Sequence, residues 1–148
     1  MRTDMVYVLD TNVFIDAEQS EAFAVAASRF LATHDARVSS VVVAELIIGA
    51  RSTSVRNRVL KNLREQAMVL GDVTPSLDDW QTAATVWTKL SPTPTERRSV
   101  WNDLLLAASC ARSGAILITS NRDDFKRIAR HIPIRHVAPW PDAATTAL

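Results

Sequence analysis

The stretch that decides how this chain folds is Ser99–Phe125, SVWNDLLLAASCARSGAILITSNRDDF. Its first half predicts a helix, with Val100, Leu104, Leu106, Ala107, Ala108 and Ala111 turned inward and Gly114 as a stop just past the end. Its second half, Ala115 to Thr119, is a short apolar run with branched side chains, which suits a buried parallel strand. A polar turn, Ser120-Asn121-Arg122-Asp123-Asp124, follows before Phe125 opens another helical pattern. Asp103 breaks the order. It lies inside the apolar helix, one turn from Leu106 and Ala107 on the same face. A carboxylate there is costly unless it is paired, binds a metal or faces a cleft.

Upstream, the same grammar repeats. Val6-Tyr7-Val8-Leu9 reads as a first strand ending at Asp10, and Thr11-Asn12 turns into a helical pattern through Phe14 and Ile15. A second helix is expected over Glu21 to Thr33, and Ala36 to Ser39 is a candidate second strand. Ser40 is the expected N-cap of a helix running to Ala50, apolar almost all round and therefore expected to be buried. Glu45 interrupts it, on the face of Val41 and Ile48. Thr53 to Gln66 predicts an arginine-rich amphipathic helix, and Met68 to Val73 a short strand. Thr74-Pro75 is expected to start the next helix, with Pro at its first position and Asp78 and Asp79 in its first turn. Ser91 to Glu96 reads as a surface loop, Phe125 to His131 as the end of a helix and Ile134 to Val137 as a last strand. Pro139 to Leu148 reads as a flexible tail.

Strands alternating with helices predict a three-layer α/β/α sandwich on a mostly parallel sheet, as one domain over residues 1–148. In such sheets ligands sit beyond the carboxyl ends of the strands, where Asp10, Asn121 and Asp124 fall. The net charge of +1 excludes a globally basic nucleic-acid binder, so any such site rests on a local patch. Of 17 basic residues only Lys61, Lys89 and Lys126 are lysines, a bias suited to bidentate phosphate contacts. The single cysteine, Cys110, fits a reducing cytosol and a structural role, and no apolar run is long enough to span a membrane. A soluble cytoplasmic protein is expected.

Four acids, Asp10, Glu45, Asp103 and Asp124, each abut an apolar run. Taken singly, Asp10 reads as a cap and Asp124 as a helix first-turn acid. Glu45 and Asp103 lie mid-helix, so each needs a buried arginine or a cation. Taken together they point to a hard divalent ion, because oxygen-only donors favour magnesium or manganese over zinc. The three histidines lack ligand spacing. Trp80 and Trp87 share a helix face, as core or as a dimer interface. Arg51, Arg56, Arg58 and Arg64 read as a solvated face, and Arg122, Lys126 and Arg127 lie nearer the acids.

The segments VYVLDTNVFID, VSSVVVAELIIGA and NDLLLAASCARSGAILITSNRDDF, in this order from Val6 to Val137, resemble the PIN-domain ribonucleases, specifically the VapC-like toxins of bacterial toxin–antitoxin pairs. The resemblance implies a metal-dependent endoribonuclease that leaves a 5′-phosphate and a 3′-hydroxyl. It implies Asp10, Glu45, Asp103 and Asp124 as the quartet holding magnesium or manganese, supported by Asn12 and Thr119. Many relatives carry Asp where Asn121 stands, so Asn121 and Asp124 share the fourth position. The resemblance also implies RNA as substrate, a homodimer and a cognate antitoxin, and Arg122 and Lys126 are the expected substrate contacts. Two alternatives stay open: a non-catalytic RNA-binding protein on the same fold, and a phosphatase of the haloacid dehalogenase type. The latter needs an acid where Asn12 stands.

Overall fold

A computed structural model describes residues 5–140. Its strands are β1 (Val6–Leu9), β2 (Asp35–Ser39), β3 (Asp72–Val73), β4 (Ala115–Ile118) and β5 (Arg135–Val137). They form one sheet in the order β3-β2-β1-β4-β5, with every pairing parallel. The helices are α1 (Thr11–Gln19), α2 (Glu21–Thr33), α3 (Ser40–Ile48), α4 (Thr53–Leu70), α5 (Leu77–Leu90), α6 (Arg97–Ser113) and α7 (Arg122–Ile128).

The period of two along the strands divides the core between the two faces of the sheet. Tyr7, Leu9, Ile116 and Ile118 pack with Val13 of α1 and Phe30 of α2. Val8, Ala115 and Leu117 face the opposite way, against α3, α5, α6 and α7 through Val42, Val86, Leu104 and Phe125. This is the expected α/β/α sandwich. From β1 the chain winds outward to β2 and β3 on one side, and β4 and β5 fill the other. The order therefore reverses between β1 and β4, the place where parallel sheets open a crevice.

The elements depart from the sequence expectation at several ends. The strand expected at Met68–Val73 is only Asp72–Val73, because α4 continues to Leu70 with Met68 and Val69 in solvent at 87% and 82% exposure. Gly71, at φ +87°, makes the turn between them, a conformation that a side chain would strain. Pro75 is not the first residue of α5. Ser76 caps that helix in a reciprocal box, its hydroxyl accepting from the Asp79 N–H at 3.2 Å and its own N–H donating to the Asp79 carboxylate at 2.8 Å. Ser39, not Ser40, caps α3 by accepting from the Val41 N–H. That helix is not buried all round: Val41 and Val42 are in the core, while Ile48 is 61% exposed. α7 starts at Arg122, so the acids expected in a turn are in its first helical turn, and it ends at Ile128 rather than His131.

Trp80 is half exposed, and Trp80 and Trp87 both meet Trp101 of α6, with ring centroids 5.6 and 5.8 Å away. Trp140, placed in the expected tail, packs edge-on against Phe23 and Phe30. Residues 141–148 of that tail lie outside the described residues. Cys110 is fully buried, and burial raises its thiol pKa, consistent with an inert packing residue.

Candidate active site

The sequence-predicted acids stand around the crevice between β1 and β4, near enough for Asp103 to feel the charge of the other three. Asp10 extends β1, its N–H donating to the Ile118 carbonyl at 3.0 Å, and it caps α1 by accepting from the Thr11 N–H at 2.7 Å. The capping reading holds for this residue, which also stands at the mouth of the crevice. Its other carboxylate oxygen accepts from the Thr119 hydroxyl at 2.8 Å and from the Asn12 amide at 3.1 Å. Asp10 is 4% exposed, and burial raises its pKa against the lowering effect of Thr119, Thr11 and Asn12.

Asn12 and Thr119 clasp the ends of the two central strands. Asn12 donates to the Thr119 hydroxyl at 3.3 Å and accepts from the Ser120 N–H at 3.1 Å. Thr119 Oγ1 also accepts from the Asn121 N–H at 3.0 Å. One network thus fixes the β1 and β4 ends on either side of Asp10.

Helices bring the remaining acids. α3 carries Glu45, whose Oε1 accepts from the Thr11 hydroxyl at 3.1 Å. Burial raises the Glu45 pKa; Thr11 opposes it, and Asp10 adds to the rise. α6 carries Asp103, whose Oδ2 accepts from the Asn121 amide at 3.4 Å, a long bond. Burial, then Asp10, Glu45 and Asp124, push the Asp103 pKa up to about 8, with Arg127 the opposing charge. In the absence of a cation this carboxyl therefore holds its proton more tightly than an ordinary aspartate.

Asp124 is exposed on α7 and enters the cluster through its field at Asp103, whereas Asn121 reaches Asp103 by hydrogen bond. Lys126 is exposed on the same helix. Arg122 is half-buried and turned toward His136, its Nε donating to the imidazole Nδ1 at 2.8 Å. Arg51, Arg56, Arg58 and Arg64 are all exposed, as expected of a solvated face.

Sequence reasoning passed over Thr11, Asn102, Arg98 and His136. Thr11 hydrogen-bonds to Glu45, and Asn102 and then Arg98 also lower the Glu45 pKa. Thr11 and Asn102 each adjoin a site acid in sequence, a usable signal. His136 is linked to Arg122 only through the fold.

Among the described residues, no three His, Cys, Asp or Glu side chains form a ready-made ion cage. Charge coupling reaches farther than coordination, which is why Asp103 still feels three acids. The donor chemistry fits magnesium or manganese: oxygen only, with strong negative charge and too little cation nearby. Magnesium retains several waters and uses one or two carboxylates in addition to substrate phosphates, so a complete cage is not required.

The comparisons agree with this geometry. No curated protein sequence matches the chain. Among solved structures, a chain of VapBC2 from Rickettsia felis, bound to a promoter DNA fragment, has a TM-score of 0.64 at 23% identity, covering 90% of this chain and 98% of that one. A chain of VapBC-1 from nontypeable Haemophilus influenzae gives 0.65 at 23% identity, with coverage of 90% and 98%. VapBC-5 from Mycobacterium tuberculosis, a member of the VapBC family of toxin–antitoxin systems, gives 0.54 at 21%, again covering 90% and 98%. At such identities the likeness is one of fold. The PIN domain profile matches residues 7–131, spanning β1 through α7 with all four acids inside it, and the chain belongs to the PIN domain family.

Proposed function

We propose that this chain is a metal-dependent endoribonuclease and the toxin of a toxin–antitoxin pair. One observation carries the reading: Asp103, in the packed helix α6, is surrounded by the charges of Asp10, Glu45 and Asp124 and has its pKa pushed up to about 8. Such an arrangement opposes stability and suits a cation supplied from outside. PIN membership and the VapBC neighbours support the nuclease and toxin parts of the reading. They give no support to the phosphatase alternative.

Asp10 and Asp103 are the principal ligands in this account, with Glu45 and Asp124 completing the negative field. Magnesium or manganese held there supplies charge neutralisation at the scissile phosphate and makes an attacking water more acidic. The Thr119 and Asn12 bonds fix the Asp10 carboxylate, so that little reorganisation is needed when substrate arrives. Glu45, steadied by Thr11, orients the water for in-line attack. The P–O3′ bond breaks, the 3′ oxygen takes up a proton, and a 5′-phosphate is left. Asn121 holds Asp103 from the β4 side.

The same negative crevice attracts a basic side chain as readily as a metal ion. An antitoxin that places an arginine or lysine between Asp10 and Asp103 therefore silences the enzyme. Homodimerisation in the cytoplasm completes the reading. Among the described residues no helix is long and apolar enough to cross a membrane.

The test is cleavage of single-stranded RNA by the purified chain with magnesium, with manganese and with chelator. Metal-dependent 5′-phosphate products support the reading. RNA that is bound but left intact under every metal condition supports the non-catalytic alternative instead.

A further inference from the structure

Beside the acidic crevice lies a cationic group that the proposed chemistry does not use. Arg122 Nε, on α7, donates to His136 Nδ1, on β5, at 2.8 Å. Accepting that bond requires the imidazole to be deprotonated at Nδ1. Burial, then Arg122 and Lys126, lower the His136 pKa, consistent with a neutral ring. The ring is half-buried and tilted 44° to Phe125, centroids 6.3 Å apart, which seats it in one orientation.

An arginine is ordinarily held by a carboxylate, which cancels its charge. Here a neutral ring fixes the guanidinium and leaves the charge intact. Only Nε is used: among the described residues neither Nη1 nor Nη2 of Arg122 has a hydrogen bond. Neither Arg122 nor Lys126 is in an ion pair among the described residues, although Asp123 and Asp124 lie on the same helix. The outer edge of a guanidinium held in this way matches two phosphate oxygens.

We propose that Arg122 and Lys126 form a phosphate subsite for single-stranded RNA, held in position by His136, which grips the phosphate next to the one cut. The proposal rests on the ribonuclease reading. His136 is a positioning residue acting through Arg122, and it sets the guanidinium geometry without taking part in the chemistry.

The test is fluorescence anisotropy of a short labelled single-stranded RNA, with chelator present to prevent turnover, over a series of salt concentrations. Arg122→Gln should bind about tenfold more weakly. Its salt slope should be shallower by about 0.7, the share of one single-strand phosphate contact. His136→Phe keeps the ring packing but removes the acceptor and should also weaken binding, while His136→Gln, which restores an acceptor, should recover it. Lys126→Gln, at an exposed position, cannot act by unfolding and should weaken binding too. With magnesium, Arg122→Gln, Lys126→Gln and His136→Phe should raise KM while kcat holds, and Lys89→Gln should change nothing.

If wild type cleaves the RNA while Arg122→Gln and Lys126→Gln bind it with unchanged affinity and slope, the subsite is wrong and the nuclease reading stands. If wild type neither binds nor cleaves RNA, both readings fall. Should the variants keep RNA binding but lose a co-purified acidic partner protein, the cationic group is a protein-docking surface and the proposal is overturned.

Discussion

Asp79 and Asp103 are both acids drawn into helix packing, and their surroundings are opposite in sign. Asp79 is 3% exposed and paired with a cation: Oδ2 accepts from the Ser76 N–H and from Arg112 Nε, both at 2.8 Å. Arg112 also donates to the Thr74 carbonyl at 3.0 Å, tying α6 to the start of α5. Asp103, on the same helix as Arg112, has one long bond from Asn121, and three of the four charges acting on it are negative. A buried acid matched by a cation from its own chain reads as architecture. One crowded by other acids reads as a site awaiting a cation from elsewhere.

The largest effect expected from this contrast is on catalysis. Asp103→Asn should lower the rate of RNA cleavage by about a hundredfold or more, since it removes a charge placed to act in the transition state. Asp79→Asn should leave cleavage intact. The rate of product formation by the two folded variants, measured side by side, separates site from scaffold. Equal losses in both would mean that the two acids do not differ in kind.

Stability should respond in the opposite order. Asp79→Ala removes a helix cap and the partner of Arg112, and should cost about 2 kcal/mol in denaturant unfolding. The Arg112 side chain is 44% exposed, so its share of that loss is small. Cleavage per folded molecule should be unaffected.

The pH dependence sharpens the contrast further. Asp103 has its folded pKa raised from 3.8 to about 8, so the native state binds this proton more tightly than the unfolded chain does. In chelator, the associated stability is fully present below 3.8 and is lost progressively as pH rises toward about 8. Asp10 and Glu45 are raised as well and act in the same direction. Denaturant midpoints across this range should therefore fall with pH in wild type and fall less steeply in Asp103→Asn. A smaller effect is expected at the clasp. Thr119→Val removes the hydroxyl donor to Asp10 and should reduce cleavage by about tenfold, measured at saturating metal.

Much of the frame was legible because it rests on local pattern. The apolar runs Val6–Leu9 and Ala115–Ile118 became neighbouring strands, and the acids standing out of apolar helices came close enough for Asp103 to feel the charge of the others. Where contacts are nonlocal the pattern fell silent. Asp79 and Arg112 lie 33 residues apart, and Arg122 and His136 lie 14 apart, so neither pairing leaves a mark in any one helix or strand. The α4 boundary was misread because Met68, Val69 and Leu70 are apolar and strand-like in composition. The helix continues through them with Met68 and Val69 in solvent, until Gly71 turns the chain. Burial of α3 was overstated for a related reason. Composition reports how apolar a helix is, but only the neighbouring elements decide which residues are covered, and they leave Ile48 61% exposed.

The central claim is that Asp103 belongs to a repelling cluster rather than to a structural pair. Its most direct test is thermal melting of wild type and Asp103→Asn, each in chelator and in excess magnesium. Wild type should gain about 2.7 kcal/mol from metal at a hundred times its dissociation constant. Asp103→Asn should melt above wild type in chelator and respond little to magnesium. If Asp103→Asn in chelator melts clearly below wild type, Asp103 has a structural partner and the repelling cluster is wrong.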